Sequence, residues 1–252
     1  MKQVFAPLTI LALMVITFAG CSKQTDTYQT EPLTDYYIPL EPGKFIHYLL
    51  DSTLYIEFGQ KDTVIHYEAK DVVDAPITDA LGREGWRILR YLRPVGSGDD
   101  NAWDLRLTYF VIPTKNQLEV YENNLRFIKL TSPLKEGNSW HGNAYLPDHP
   151  YEQYYGILSD AGLQFWDYTY NNYGGFESIN NQDFDSTVTV SQVDDEEYTP
   201  ALDFKNYWIE KYAKGIGLIY KEKIMWEHQP AVGSNPDYWQ GFGIKLTIID
   251  HN

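Results

Sequence analysis

The sequence predicts an all-β domain of antiparallel sheets, either a two-sheet sandwich or a curved, partly open barrel, with little helix. Three observations carry this. Several segments alternate apolar and polar residues with a period of two. Aromatic residues make up 15% of the 252 residues, with 21 Tyr and 7 Trp, and such side chains favour pleated, half-buried surfaces. Outside the first twenty residues, no long stretch places apolar residues at the three-and-four spacing of a helix.

The chain opens with a different signal. Lys2 is followed by an uncharged, mostly apolar run from Val4 to Ala19. That run is shorter than the roughly 20 residues a spanning helix needs, contains Pro7 and ends in small residues, as cleaved export signals do. Phe18-Ala19-Gly20-Cys21 resembles the bacterial lipobox, with Phe18 where Leu is usual. The resemblance implies that residues 1–20 are removed and that Cys21 is acylated and holds the chain on a membrane. Cys21 is the single cysteine, so no intramolecular disulfide can form, and lipidation explains an otherwise odd thiol. By the same resemblance, Ser22 in place of Asp points to the outer membrane. Asp26 and Glu31 are the only acids near it, which leaves both the periplasmic and the surface face open. Residues 21–35 read as the lipidated N-terminus and a polar tether.

Residues 36–252 then form the β domain. Ile65, Tyr67, Ala69 and Val73 fall on one face, with His66, Glu68 and Lys70 on the other. Gly96 to Asn101 is a loop. Leu105, Leu107, Tyr109 and Val111 alternate with polar residues, and Pro113-Thr114-Lys115-Asn116 makes a tight turn. Tyr151 to Trp166 has room for a short helix, and Lys214-Gly215 reads as a hairpin tip. Phe242, Ile244, Leu246 and Ile248 close the series. Pro39-Leu40-Glu41-Pro42-Gly43 is echoed by Pro133-Leu134-Lys135-Glu136-Gly137, so the domain divides into two candidate related halves, 36–130 and 131–252.

Those two openings, with Glu122-Asn123-Asn124-Leu125-Arg126, Gly137-Asn138-Ser139-Trp140 and Tyr212 through Leu218, resemble exported lipoproteins of the Bacteroidota type. The likeness spans most of the exported chain; Ile46 stands where that group often has Trp. The group carries no assigned activity, so the resemblance implies location and class and no chemistry.

Composition narrows function by exclusion. A net charge of −15 argues against nucleic acid and against docking on anionic lipid through a basic face. No Gly-x-Ser-x-Gly elbow and no His-Glu-x-x-His zinc motif occurs. The six His are scattered, and His228, sharing a face with Leu218, Tyr220, Ile224 and Trp226, reads as a hydrogen-bonded core histidine. Asn180 to Asp185 gathers oxygen ligands, with Asp183 and Asp185 as weak calcium candidates, but lacks an EF-hand's glycine turn and distal glutamate. This segment and Asp194 to Glu197 read as solvated acidic loops. No cofactor is expected.

Tyr151, Tyr154, Tyr155, Trp166, Tyr168, Tyr170 and Tyr173 crowd a short span and are candidates for stacking on sugar rings or anchoring a protein partner. Their two-residue period from Trp166 equally suits one packed sheet face. The leading expectation is a non-catalytic, membrane-anchored domain of the cell envelope, binding a protein or glycan partner or playing a structural role. The alternatives are an envelope carrier for lipid or another apolar ligand and a glycan-processing enzyme. The carrier would hold its ligand in the concave side of such a barrel, so a sealed core with no cavity eliminates it and an open trough lined by apolar side chains favours it.

Overall fold

A computed structural model describes residues 31–199 and 203–252. The predicted export signal, Cys21 and most of the predicted tether lie outside the described residues. Within them, twelve strands form one antiparallel sheet: β1 (Phe45–Ile56), β2 (Lys61–Thr78), β3 (Glu84–Pro94), β4 (Asp104–Pro113), β5 (Gln117–Glu122), β6 (Leu125–Thr131), β7 (Ser139–His141), β8 (Asp167–Ile179), β9 (Gln182–Tyr198), β10 (Asp203–Ala213), β11 (Gly217–Gln229) and β12 (Tyr238–His251). Their spatial order is β6-β5-β4-β3-β2-β1-β12-β11-β10-β9-β8-β7. The sheet curls into a nearly closed barrel with one unsealed seam, and it is 63% strand against 6% helix. The all-β expectation therefore holds, in its barrel form.

Every neighbour in this order except the β1–β12 pair is also a neighbour in sequence. Each half of the chain is thus a six-stranded meander. The Pro-Leu segments at 39–43 and 133–137 each lead into the first strand of a meander, and Gly43 and Gly137 both take the left-handed backbone that glycine allows at φ 87° and 77°.

Alternation sets the faces. Tyr67, Ala69, Asp71 and Val73 point inward from β2, Tyr109 and Val111 from β4, and Phe242, Leu246 and Ile248 from β12. Ile65 departs from this, being 37% exposed. The reason is overhang: β2 pairs with β3 only from Tyr67 onward, so the β1–β2 hairpin projects beyond its neighbour. The uncovered edge carries Lys61, Asp62 and His66, charged or polar side chains that discourage pairing with another strand. Asp194 to Glu197, read from sequence as a loop, is the last part of β9. Each residue pairs across to β10, and Lys205 meets Glu196 at 2.8 Å.

The barrel has two ends. The near end carries the turns after β2, β4, β6, β8 and β10, together with residues 31–44. Leu33, Tyr36, Tyr37 and Ile38 are buried there, and the Gly215 N–H donates to the Asp35 carbonyl at 2.6 Å. The far end is covered by residues 142–166, which hold a one-turn α-helix, α1 (Glu152–Tyr155), and a 3-10 turn at Leu163–Phe165, both within the region expected to be helical. Leu146, Tyr151, Ile157 and Leu163 of this cap are buried.

The seam between β6 and β7 is bridged by side chains as much as by backbone. The Ile128 N–H donates to the Gly142 carbonyl at 2.8 Å, and the Trp140 indole N–H donates to the Ile128 carbonyl at 2.9 Å. The Tyr170 hydroxyl accepts from the Thr131 N–H at 2.7 Å and donates to the Thr131 carbonyl at 2.9 Å. Tyr170→Phe leaves both backbone groups unpaired beside a buried ring, so we expect a loss of about 1–3 kcal/mol in urea unfolding followed by tryptophan fluorescence. An unchanged midpoint would mean that the seam contributes nothing.

Candidate functional site

Two places in the barrel merit comparison: the lumen and the far rim. The lumen is filled. Reading along β10, Tyr212 belongs to a near-end apolar layer and Trp208 to a far-end one, with Glu210 between them. Along β11, Ile219 and Met225 flank Lys221 and Lys223; along β6, Leu130 and Phe127 flank Lys129. A band of charge therefore crosses the interior between two apolar layers. The space left beside it is about 40 Å³, enough for a few water molecules and far too small for a lipid.

The band pairs its charges closely. Asp71 takes two hydrogen bonds from Arg90, each at 2.6 Å, and one from the Tyr109 hydroxyl at 3.0 Å. Glu210 accepts from Lys129 at 2.7 Å and from the Tyr212 hydroxyl at 2.6 Å, with Lys221 at 3.6 Å. Glu122 lies between Arg90 at 3.6 Å and Lys221 at 3.9 Å. Burial alone would raise both glutamates. Lys129 and Lys221 outweigh it at Glu210, and Lys221 with Arg90 at Glu122, so each carboxyl falls to about 2.

Lys223 is treated differently. Burial pushes its amine well below the usual lysine range, and repulsion from Lys221 and Lys129 adds to that. It donates to the Tyr151 hydroxyl at 2.6 Å and lies 3.6 Å from the centre of the Trp208 ring. The cap thus seats one of its own tyrosines on this lysine. Two carboxylates hold the rest of the cap: Asp160 accepts from the N–H groups of Tyr151 and Glu152 and from His149, and Glu227 accepts from those of Leu158 and Ser159.

β11 corrects one reading. Tyr220, Ile224, Trp226 and His228 lie on the outer face, while Lys221, Lys223, Met225 and Glu227 point inward. His228 is half-buried outside the barrel rather than in its core. It bonds Asp237 at 3.0 Å, approaches Asp203 at 3.3 Å and stacks on Trp239 at 4.1 Å.

The open site is at the far end. A groove of about 930 Å³ runs between the overhanging β1–β2 hairpin, the start of β12 with the turn before it, and α1. Leu54, Ile56, Phe58, Tyr154, Tyr155 and Trp239 give it apolar and aromatic walls. Two hydrogen bonds tie the walls together: the Trp239 N–H donates to the Gly59 carbonyl at 3.0 Å, and Gln240 donates to the Gly156 carbonyl at 2.7 Å. The Tyr155 ring packs on Phe242 at 4.4 Å.

At the groove's lip the backbone is strained. Glu57, Phe58 and Gly59 are all left-handed, at φ 51°, 57° and 81°. The conformation costs a non-glycine residue about 1–2 kcal/mol, and a bulky Phe is a rare occupant. Gly59 is required, because a Cβ there would strike the Trp239 carbonyl. Phe58 remains 99% exposed.

Of the seven aromatics singled out in the sequence, Tyr154 and Tyr155 line the groove. The others are placed elsewhere. Tyr151 is buried on the inner side of the cap, Trp166 packs on Trp208 at 5.2 Å, and Tyr168 and Tyr170 are fully buried. Tyr173 lies near Tyr36, with ring centres 6.3 Å apart. Asp183 and Asp185 are exposed on β9, and among the described residues no group of three or more His, Cys, Asp or Glu side chains is arranged to hold a metal. Sequence reasoning missed Phe58, on the β1–β2 turn, and Tyr238 and Trp239, at the start of β12 far along the chain. The one available signal was a Phe next to the Gly of a turn, where polar residues are the rule.

No family model matches the chain. No curated protein matches it either. Three solved structures show a distant likeness. A protein from Bacteroides fragilis, described as exported and of YmcC-like fold, is 10% identical, with 85% of this chain and 99% of that one covered at a TM-score of 0.31. A Vibrio parahaemolyticus domain described under outer membrane lipoprotein sorting is 11% identical, with coverages of 83% and 85% and a TM-score of 0.19. A DUF1329 family protein from Desulfovibrio piger is 11% identical, with coverages of 84% and 87% and a TM-score of 0.19. These likenesses carry nothing about ligand or reaction.

The charge band predicts acid lability. Glu122 and Glu210 hold their charge to about pH 2 when folded, against an ordinary value of 4.5. Their contribution is complete above 4.5 and is lost as pH falls from there through 2, since only the unfolded chain takes up protons in that window. The loss amounts to a few kcal/mol, on the order of 1.4 kcal/mol for each tenfold difference in proton affinity between the folded and unfolded chain. Thermal midpoints taken between about pH 6 and pH 2 should fall across this window, and less steeply for Glu210→Gln. A flat profile in the parent chain would show that the carboxylates are not held as described.

Proposed function

We propose that the chain is a lipid-anchored binding domain of the cell envelope, fixed to the outer membrane through Cys21, and that it carries an apolar chain, such as the acyl chain of a lipid, in the far-end groove. The observation that carries the reading is the contrast between the two spaces. The lumen, where a closed barrel would hold such a ligand, has about 40 Å³ left, and the groove has about 930 Å³. The latter lies within the roughly 300–1,000 Å³ typical of small-molecule sites.

Its lining favours an acyl chain over a sugar. Leu54, Ile56, Phe58 and Trp239 offer an apolar chain its contacts, and two of the polar side chains on the walls are already engaged, the Gln60 amide with the Asp237 carbonyl and the Gln240 amide with the Gly156 carbonyl. The same contrast supports a binding role over glycan processing, because the paired carboxylates of the barrel are enclosed in the charge band, away from the groove.

Titration with a 16-carbon fatty acid, followed by the emission of Trp239 and its neighbours, should show saturable binding. Tyr154→Asp with Tyr238→Asp should weaken it tenfold or more, about 1.4 kcal/mol, with the unfolding midpoint kept. Absence of saturable binding, or indifference to the double substitution, sinks the carrier. The anchor has its own test. Protein extracted from native envelopes should have the intact mass of a chain starting at Cys21 with acyl groups added. An unmodified thiol there would remove the anchor from the reading.

A further inference from the structure

We infer that the groove selects its ligand by the charge of the head: it takes an apolar chain ending in an alkylammonium group and disfavours one ending in a carboxylate. The inference rests on the carrier reading and names the ligand class within it.

Three observations converge. First, the walls are rich in aromatic rings: Tyr55, Phe58, Tyr154, Tyr155, Tyr238 and Trp239 all line the groove. A ring's face is the negative side of its quadrupole, and several rings around one space attract a cation, a quaternary ammonium above all. Elsewhere this chain supplies the cation itself. Lys223 stands over Trp208 at 3.6 Å, Arg126 over Tyr145 at 3.4 Å and Arg93 over Trp103 at 4.5 Å. Among the described residues, no lysine or arginine stands over a ring of the groove. Trp239 is stacked on His228 and Tyr155 packs on Phe242, which leaves Tyr55, Phe58, Tyr154 and Tyr238 as the rings without an aromatic partner among the described residues.

Second, the lining offers an anion no counter-charge. None of its side chains is a lysine, arginine or histidine, and its single carboxylate is Glu57. Lys61, the basic residue of the same hairpin, is bonded to Glu57 at 2.8 Å. An ammonium head can share that carboxylate, whereas a carboxylate head finds no unpaired cation on the walls.

Third, the far end is acidic. Asp99, Asp100, Asp148, Glu152 and the run from Asp194 to Glu197 lie there, in a chain of net charge −15, and Lys205 is taken by Glu196 at 2.8 Å. The walls feel carboxylates too: burial and the Asp62 carboxylate push the Tyr55 hydroxyl up to about 12. A field of this sign raises the local concentration of a cationic ligand and lowers that of an anionic one.

The test compares three probes that share a decyl chain, at neutral pH and below micelle formation: decyltrimethylammonium, decanol and decanoate. Followed by tryptophan emission, the ammonium should bind tightest, about tenfold or more above the carboxylate, with the alcohol between them. Added salt should narrow the gap, because it screens charges and leaves apolar contacts in place. Tyr154→Leu with Tyr238→Leu keeps the walls apolar and removes two rings. It should cut the affinity for the ammonium about tenfold or more and that for the alcohol by no more than about threefold, with the unfolding midpoint kept. A carboxylate that binds as tightly as the ammonium overturns charge selection and leaves the carrier reading standing. So does an ammonium advantage over the alcohol that survives the double substitution, since the net negative charge of the chain would then account for it. If none of the three probes saturates, the carrier reading falls and this inference with it.

Discussion

Filling the lumen is the constraint on which the rest of the structure depends. Barrel diameter grows with strand number, and about eight strands is the width that ordinary side chains just fill. Twelve leave a wider space. This chain fills it with the longest side chains available and with its own backbone. Tyr48, Tyr168, Tyr170, Tyr212 and Trp208 project inward, Arg90, Lys129, Lys221 and Lys223 reach across, and the near-end segment and the far-end cap enter from either side. The tyrosine-rich composition follows from that geometry as much as from strand preference.

Reaching across with lysine and arginine brings charge into a region that disfavours it. An isolated buried charge would be neutralised or would unfold the protein, so each of the band's three carboxylates, Asp71, Glu122 and Glu210, meets at least one cation. Asp71 with Arg90 and Glu210 with Lys129 are direct pairs, and Lys221 stands between Glu210 and Glu122. Lys223 is left with a tyrosine hydroxyl and aromatic faces, and burial drives it toward the neutral amine. Lys223 apart, the band is balanced: Asp71, Glu122 and Glu210 face Arg90, Lys129 and Lys221. Since Tyr151 belongs to the cap, closing the far end and settling the charge band are one event rather than two.

How much of this the sequence discloses depends on which side chains point inward. Where the inner face is apolar, as at Leu107, Tyr109 and Val111 or at Phe242, Leu246 and Ile248, alternation reveals both strand and face. On β11 the alternation is equally regular, but its apolar half, Ile224 and Trp226, faces outward, while Lys221, Lys223 and Glu227 face the lumen. A rule that sends apolar residues inside must fail there, because the partners that make the inward charges tolerable come from β5, β6 and β10. Acidity misleads at Asp194 to Glu197 in a similar way, where an outlying strand is charged to protect its edge. The groove was the least legible part. Its walls come from the β1–β2 turn, α1 and the turn before β12, segments about 100 and 80 residues apart, and no local pattern announces their meeting.

The position of the groove follows from unequal strand lengths. β1 and β2 run past the point where β3 stops pairing, and β12 meets β1 only as far as Leu54. From that point on, the inward-facing residues Leu54 and Ile56 lie beside the cap and Trp239. A barrel whose strands all ended level would bury or delete them. Here the overhang turns the last residues of a core-facing row into one wall of an open site, and Gly59 lets the hairpin tip approach the Trp239 backbone closely enough to hold that wall in place. Residue 31 enters the barrel at the opposite end, against the β10–β11 turn. On the proposed reading of Cys21 as the mooring, the groove would lie at the end of the barrel away from it.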